Sequence, residues 1–237
     1  MKISTSFAAV LAVCSLSSIA SAQTVPTESE AYVSYSSQYI HPAFGEISED
    51  GYFRAGVSHI FENGFFLQLE GTYHDQNDWQ YSGEGSAITG GITTGCFGMQ
   101  CTGVVTFYDR FDWDTSVYYM RVQVADTYSV AGGEFSWDFG LGEYANNWRE
   151  PSTVYGDVAF DVPFGERWSA GVSVNMSEVT DRWDTERFTT YGVELQRRFN
   201  EFEAGLEFTS TTYNGNTSWM DGGNAVTFRI ARPLTIS

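Results

Sequence analysis

The chain contains one lysine, Lys2, and 12 basic side chains against 30 acidic ones, a formal net charge of −18 over 237 residues. That deficit excludes nucleic-acid binding, which needs a basic surface to displace counterions from phosphates. Cysteine and histidine are scarce, with three of each. After the N-terminus, no apolar run approaches the ~20 residues of a membrane helix. A transmembrane barrel stays open, because its alternating strands dilute any window average. What is abundant is aromatic, 16% of residues, together with 24 glycines. The aromatics are too numerous and too evenly spread for a disordered acidic chain. The length fits a single all-β domain.

Residues 1–22 have the form of a secretory signal peptide. Lys2 supplies the positive region, Phe7 through Val13 the apolar region, and Ala20-Ser21-Ala22 a cleavage site. A lipoprotein reading through Leu11-Ala12-Val13-Cys14 is weaker, because branched Val13 stands where a small residue is required. Cleavage before Gln23 leaves 11 Arg against 30 acids, a net charge of −19. It also leaves two cysteines, Cys96 and Cys101, which in an exported protein suggest one disulfide across a hairpin tip. A zinc site would want more ligands than lie near them.

From about residue 30 onward, segments of about ten residues alternate apolar with polar or small side chains, the period of a β-strand. The sequence predicts ten of them. Phe53, Ala55 and Val57 oppose Arg54, Gly56 and Ser58. Phe65, Leu67 and Leu69 oppose Gln68, Glu70 and Thr72, after an Asn63-Gly64 hairpin turn. Met120, Val122 and Val124 oppose Arg121 and Gln123, and Phe135, Trp137 and Phe139 oppose Glu134, Ser136 and Asp138. Val154, Val158 and Phe160 oppose Asp157 and Asp161. Val172, Val174 and Met176 oppose Gly171, Ser173 and Asn175. Val193 and Leu195 oppose Glu194 and Arg198, Leu206 and Phe208 oppose Glu203 and Glu207, and Phe228 and Ile230 oppose Arg229. The first segment runs from Ala31 to Tyr39. The apolar faces carry no acid and no arginine.

A soluble sandwich explains that alternation equally well. Three further features favour a membrane barrel. Connections alternate between short and long, as in outer-membrane barrels with short periplasmic turns and long external loops. Aromatics mark the segment ends, at Tyr39, Phe61, Tyr73, Tyr144, Trp148, Trp168, Trp183, Phe199, Tyr213 and Trp219. The segments also match the ~9–11 residues of a tilted membrane-spanning strand.

On these residues the chain resembles the small Gram-negative outer-membrane β-barrel proteins, porin-like members included, over roughly residues 30 to 231. The resemblance rests on the leader, the strand–turn rhythm, the hairpin Val57 to Leu67 and the closing Val226-Thr227-Phe228-Arg229-Ile230 strand. It implies an all-β, antiparallel, up-and-down transmembrane barrel of about ten strands, with 12 or 8 as alternatives, in a bacterial outer membrane. It departs from such proteins at its end, where Arg232 to Ser237 follow the last strand instead of a terminal aromatic.

In such a barrel the polar faces line the lumen. The candidates are Arg54, Glu70, Arg121, Glu134, Asp138, Asp157, Asp161, Glu194, Arg198, Glu203, Glu207 and Arg229. They support two readings. One is a structural network in which each arginine is held by carboxylates, since unpaired buried charge is costly. The other is a narrow aqueous pore whose surplus acids favour small cationic solutes. Residues 76–114 are expected to form a long external hairpin closed by the disulfide. A further membrane hairpin or a loop folded into the pore are alternatives. A surface-binding, adhesin-like or receptor-like barrel without transport is a second function class.

Enzymatic readings are weak. His74-Asp75 with Asp78 matches only a fragment of a rim protease site. Asp109, Asp112 and Asp114 offer oxygens for Ca²⁺ without EF-hand spacing. The glycine-rich stretches match neither a P-loop nor a dinucleotide fingerprint. The sequence points to no cofactor. The partners expected are the lipid bilayer and small solutes.

Overall fold

A computed structural model describes residues 28–37, 39–41, 45–48, 52–74, 85–110, 117–145, 152–180, 185–215 and 223–234. It contains fourteen strands: β1 (Glu28–Ser36), β2 (Tyr39–His41), β3 (Gly45–Ser48), β4 (Tyr52–Ile60), β5 (Phe65–His74), β6 (Gly85–Cys96), β7 (Met99–Arg110), β8 (Val117–Val130), β9 (Gly133–Ala145), β10 (Ser152–Phe164), β11 (Trp168–Thr180), β12 (Thr185–Arg198), β13 (Glu203–Asn214) and β14 (Asn224–Pro233). Twelve of them close into one barrel in which each strand pairs antiparallel with its chain neighbours. The seam is closed by β1 between β4 and β14. β2 and β3 form a separate two-stranded hairpin in the first long connection. The first predicted segment therefore ends at Ser36, and Tyr39 belongs to that small hairpin.

The strand count corrects the sequence-based ten to twelve. The two additional strands are β6 and β7, the region expected to project beyond the barrel. β6 pairs with β5 from Phe65↔Ile92 to Thr72↔Gly85, and β7 pairs with β8 from Gln100↔Ala125 to Tyr108↔Val117. This hairpin is part of the wall. Its alternation is faint because the outward positions of β6 read Ile88, Gly90, Ile92 and Thr94, while β7 turns Val104 inward. The connections at 75–84 and 111–116 lie outside the described residues.

The turns at 61–64, 97–98, 131–132, 165–167 and 199–202 all lie at one end of the barrel, with the start of β1 and the end of β14. Cys96 and Cys101 are joined there, across the Phe97-Gly98 turn, with Cα atoms 5.8 Å apart. The disulfide thus clamps the short turn between two strands of the wall. That turn and Ala131-Gly132 between β8 and β9 both place two successive residues at positive φ (52° and 82°, 52° and 80°). This is the twist a two-residue hairpin demands, and a glycine second in each turn accommodates it at least cost.

The two faces of the wall differ as the alternation requires. Val193 and Met176 are 58% and 60% exposed on the outside, and Phe65, Leu67, Leu69, Phe139, Leu141, Val172, Leu206, Phe208 and Phe228 are exposed with them. A continuous apolar belt of this kind is matched to lipid. Closure leaves none of the twelve barrel strands with an unpaired edge, which the hydrocarbon phase requires. At the short-turn end, Phe164 stacks on Trp168 and Phe199 on Phe202, with Arg197 lying over the rings of both Trp168 and Phe199. Amphipathic rings suit an interfacial position. Tyr144 and Tyr213 do not belong to this girdle. Their register turns them inward, where Tyr144 is 3% exposed and packs with Val179, Phe188, Tyr119 and Tyr213. Trp148, Trp183 and Trp219 lie outside the described residues.

Candidate functional site

The lumen is built by the second residue of every alternating pair. Starting from β1, the inward positions carry Glu30, Tyr32 and Ser34, which pair with Ser58, Gly56 and Arg54 of β4. From there the register carries one face around the barrel: Arg54 to Thr72 and Gly56 to Glu70, then Glu70 to Ala87. On the far side it places Glu134 opposite Asp161, Asp138 opposite Asp157, Glu194 opposite Glu207 and Arg198 opposite Glu203. Arg121 lies opposite Gly142 and Arg229 opposite Gly205. All twelve candidates from the sequence occupy this one face. Glu28, Glu30 and Glu186 share it, though the periodicity alone did not single them out.

In one sector, β14–β1–β4–β5, both inward arginines of the described residues are paired with carboxylates. Arg54 Nη2 donates to Glu70 Oε2 at 2.8 Å. The Tyr32 hydroxyl reaches past β4 to donate to the same carboxylate, and Gln68 Nε2 donates to the Tyr32 hydroxyl at 3.0 Å. That reach needs an empty position between them. It is Gly56, where a Cβ would stand 2.9 Å from the Tyr32 ring. Arg229 pairs with Glu30, and its guanidinium lies 5.3 Å from the centre of the Tyr32 ring. Although Arg54 and Arg229 face inward, their side chains keep 40% and 46% of their exposure, so the lumen around them is open to water.

The opposite sector, β9 to β13, is acidic. Three pairs of carboxylates stand directly across from one another there: Glu134 with Asp161, Asp138 with Asp157, and Glu194 with Glu207. Like charges directly opposed across a strand pair destabilise a sheet. Among the described residues, none of these six has an arginine within ion-pair distance. Arg198, the one inward arginine of this sector among the described residues, is taken by Glu203 at the short-turn rim. Small inward residues make room. The Glu194 and Glu207 carboxylates lean over Gly205 and Gly192 of each other's strands, and Gln196 Nε2 donates to Glu194 Oε1 at 2.7 Å.

At the β8 edge of the acidic sector, Tyr155 and Tyr119 lie over the glycines of β9. A Cβ at Gly140 would overlap the Tyr155 ring, and one at Gly142 the Tyr119 ring. The Tyr155 hydroxyl donates to Gln123 Oε1 at 2.7 Å, and Tyr119 and Thr153 hydroxyls meet at 2.9 Å. Each bond skips over β9, which ties three strands together on the inner wall.

Among the described residues no group of three or more His, Cys, Asp or Glu is placed to hold a metal ion. Asp75, Asp78, Asp112 and Asp114 lie outside the described residues.

No family model and no curated protein sequence matches the chain. Solved structures do match it in fold. The chain is similar to an outer membrane channel from Pseudomonas putida F1, with 11% identity, a TM-score of 0.64, and coverage of 90% of this chain and 97% of that one. It is similar to the KdgM porin at 13% identity and TM-score 0.56, covering 88% and 99% of the two chains. It is also similar to the NanC porin at 8% identity and TM-score 0.56, covering 88% and 100%. The architecture is thus that of the small outer-membrane β-barrels.

Proposed function

We propose that this protein is an outer-membrane channel for passive diffusion of small solutes, with a preference for cations. The observation that carries the reading is the acidic sector of the lumen. Among the described residues its three directly opposed carboxylate pairs have no arginine within ion-pair distance, while the arginines of the other sector are held by Glu30 and Glu70. A surplus of carboxylates in a narrow water-filled passage concentrates cations and repels anions. Maintaining repelling pairs side by side costs stability, so a network serving structure alone has no use for them. Twelve strands also enclose more space than the eight that side chains just fill.

The reading places the short turns and the termini in the periplasm and the long connections outside. Proteoliposome swelling tests it. Solutes of equal size should enter in the order cation, neutral, anion, and barrel-free liposomes should stay impermeable. Equal rates for protein-containing and protein-free liposomes would leave a structural or surface-binding barrel.

A further inference from the structure

Arg121 differs from the other inward arginines. Arg54, Arg198 and Arg229 each hold a carboxylate of the wall. Arg121 has none within ion-pair distance among the described residues. Its guanidinium lies 5.7 Å from the centre of the Tyr155 ring. Its Nε is buried and finds no hydrogen-bond partner among the described residues. On the adjacent strand, Asp138 is in the same condition: Oδ1 is buried and without a hydrogen-bond partner among the described residues. The Tyr155 ring under Arg121 pairs with Gly140, two residues along the same inner face from the directly opposed Asp138 and Asp157, so the two unsatisfied atoms belong to one locality. Fixed opposite charges that do not close on each other present a donor fork and an acceptor to a third party.

From this we infer that Arg121 and the Asp138–Asp157 pair form a selectivity site for small zwitterions, a class that includes α-amino acids and their ω-amino homologues. The inference rests on the channel reading above and refines it. The solute carboxylate would take the planar, doubly donating guanidinium of Arg121, and its ammonium the facing carboxylates of Asp138 and Asp157. Both contacts are charge-assisted and are made in a confined lumen where they are stronger than in bulk water. Tyr155 holds the site open from behind. Its ring supports the guanidinium, and its hydroxyl donates to Gln123 and stands within hydrogen-bonding reach of Arg121. A plain cation uses only the acidic half and a plain anion only Arg121.

The test uses the full-length barrel in planar bilayers, with glycine, ethylammonium and acetate as three separate probes of single-channel current in KCl. Glycine should shorten or block openings at about tenfold lower concentration than ethylammonium, the effect of one added charge-assisted contact. Acetate should act more weakly still. Arg121→Gln should abolish the advantage of glycine over ethylammonium, and ethylammonium, freed of a nearby repelling charge, should act at least as strongly as in the wild type. Arg121→Lys, which keeps the charge but loses the fork, should recover part of the difference. Asp138→Asn should weaken both ammonium probes. Heat-dependent gel mobility reports that each variant is folded. Equal potency of glycine and ethylammonium in the wild type, or a glycine effect untouched by Arg121→Gln, overturns the zwitterion site while leaving the channel standing. Absence of any conductance overturns the channel itself.

Discussion

Glu194 of β12 and Glu207 of β13 face each other directly across the strand pair, both on the inner wall, with no arginine within ion-pair distance of either among the described residues. Such an arrangement trades stability for electrostatic potential. Glu207→Gln should therefore raise stability, by roughly 0.2–1 kcal/mol, because it removes a repulsion and keeps the shape. The same change should lower cation preference. Urea unfolding in lipid vesicles, with reversal potentials measured on the same preparation, checks both halves.

The two faces of a strand should respond oppositely to an added charge. Val172 points outward and Ser173 inward on β11. Val172→Arg should cost about 2–4 kcal/mol, the penalty for a basic side chain at mid-membrane. Ser173→Arg should fold, because its guanidinium arrives among the carboxylates of β10, β12 and β13, and it should reduce cation preference. Equal destabilisation by the two would place Val172 away from lipid.

Gly140 and Gly142 are spaces for the rings of Tyr155 and Tyr119. Gly140→Ala should cost about 1–3 kcal/mol through overpacking. Adding Tyr155→Ser should recover much of that loss, since the obstructing ring is gone. A double-mutant cycle of unfolding free energies measures the coupling, and additive losses would contradict the contact.

The disulfide closes only the short segment between Cys96 and Cys101. Loop-closure entropy for so short a ring gives about 2 kcal/mol. The paired change Cys96→Ser and Cys101→Ser should lower stability by that order and leave conductance intact, because the clamp lies on the outward parity of its turn and the acidic pairs on the inner face. Denaturation and bilayer recording on one preparation decide it.

Much of this architecture is legible in the sequence, for a physical reason. A strand between lipid and water needs one apolar face, so Leu67 beside Gln68, or Val193 beside Glu194, already fixes which side each residue takes. The hairpin of β6 and β7 escapes because Gly90, Thr94 and Gly103 soften the lipid side while Val104 lies inside. Tyr144 and Tyr213 read as girdle residues because they sit near strand ends, yet the parity of their strands turns them into the lumen. The arginine partners were not legible at all. Glu30 with Arg229 joins residues far apart in the chain, and the reach of Tyr32 across β4 to Glu70 depends on wall curvature and on the vacancy at Gly56. Arg121 looks like its fellow arginines in the sequence and is set apart only by what surrounds it.

The reversal potential of a single channel across a KCl gradient tests the central claim most directly. With the acidic sector facing the pore, current should reverse near the potassium equilibrium potential, and simultaneous Glu194→Gln, Glu207→Gln and Asp157→Asn changes should move it toward zero. Reversal on the chloride side, or a wild-type barrel that stays closed at every voltage, would contradict the account.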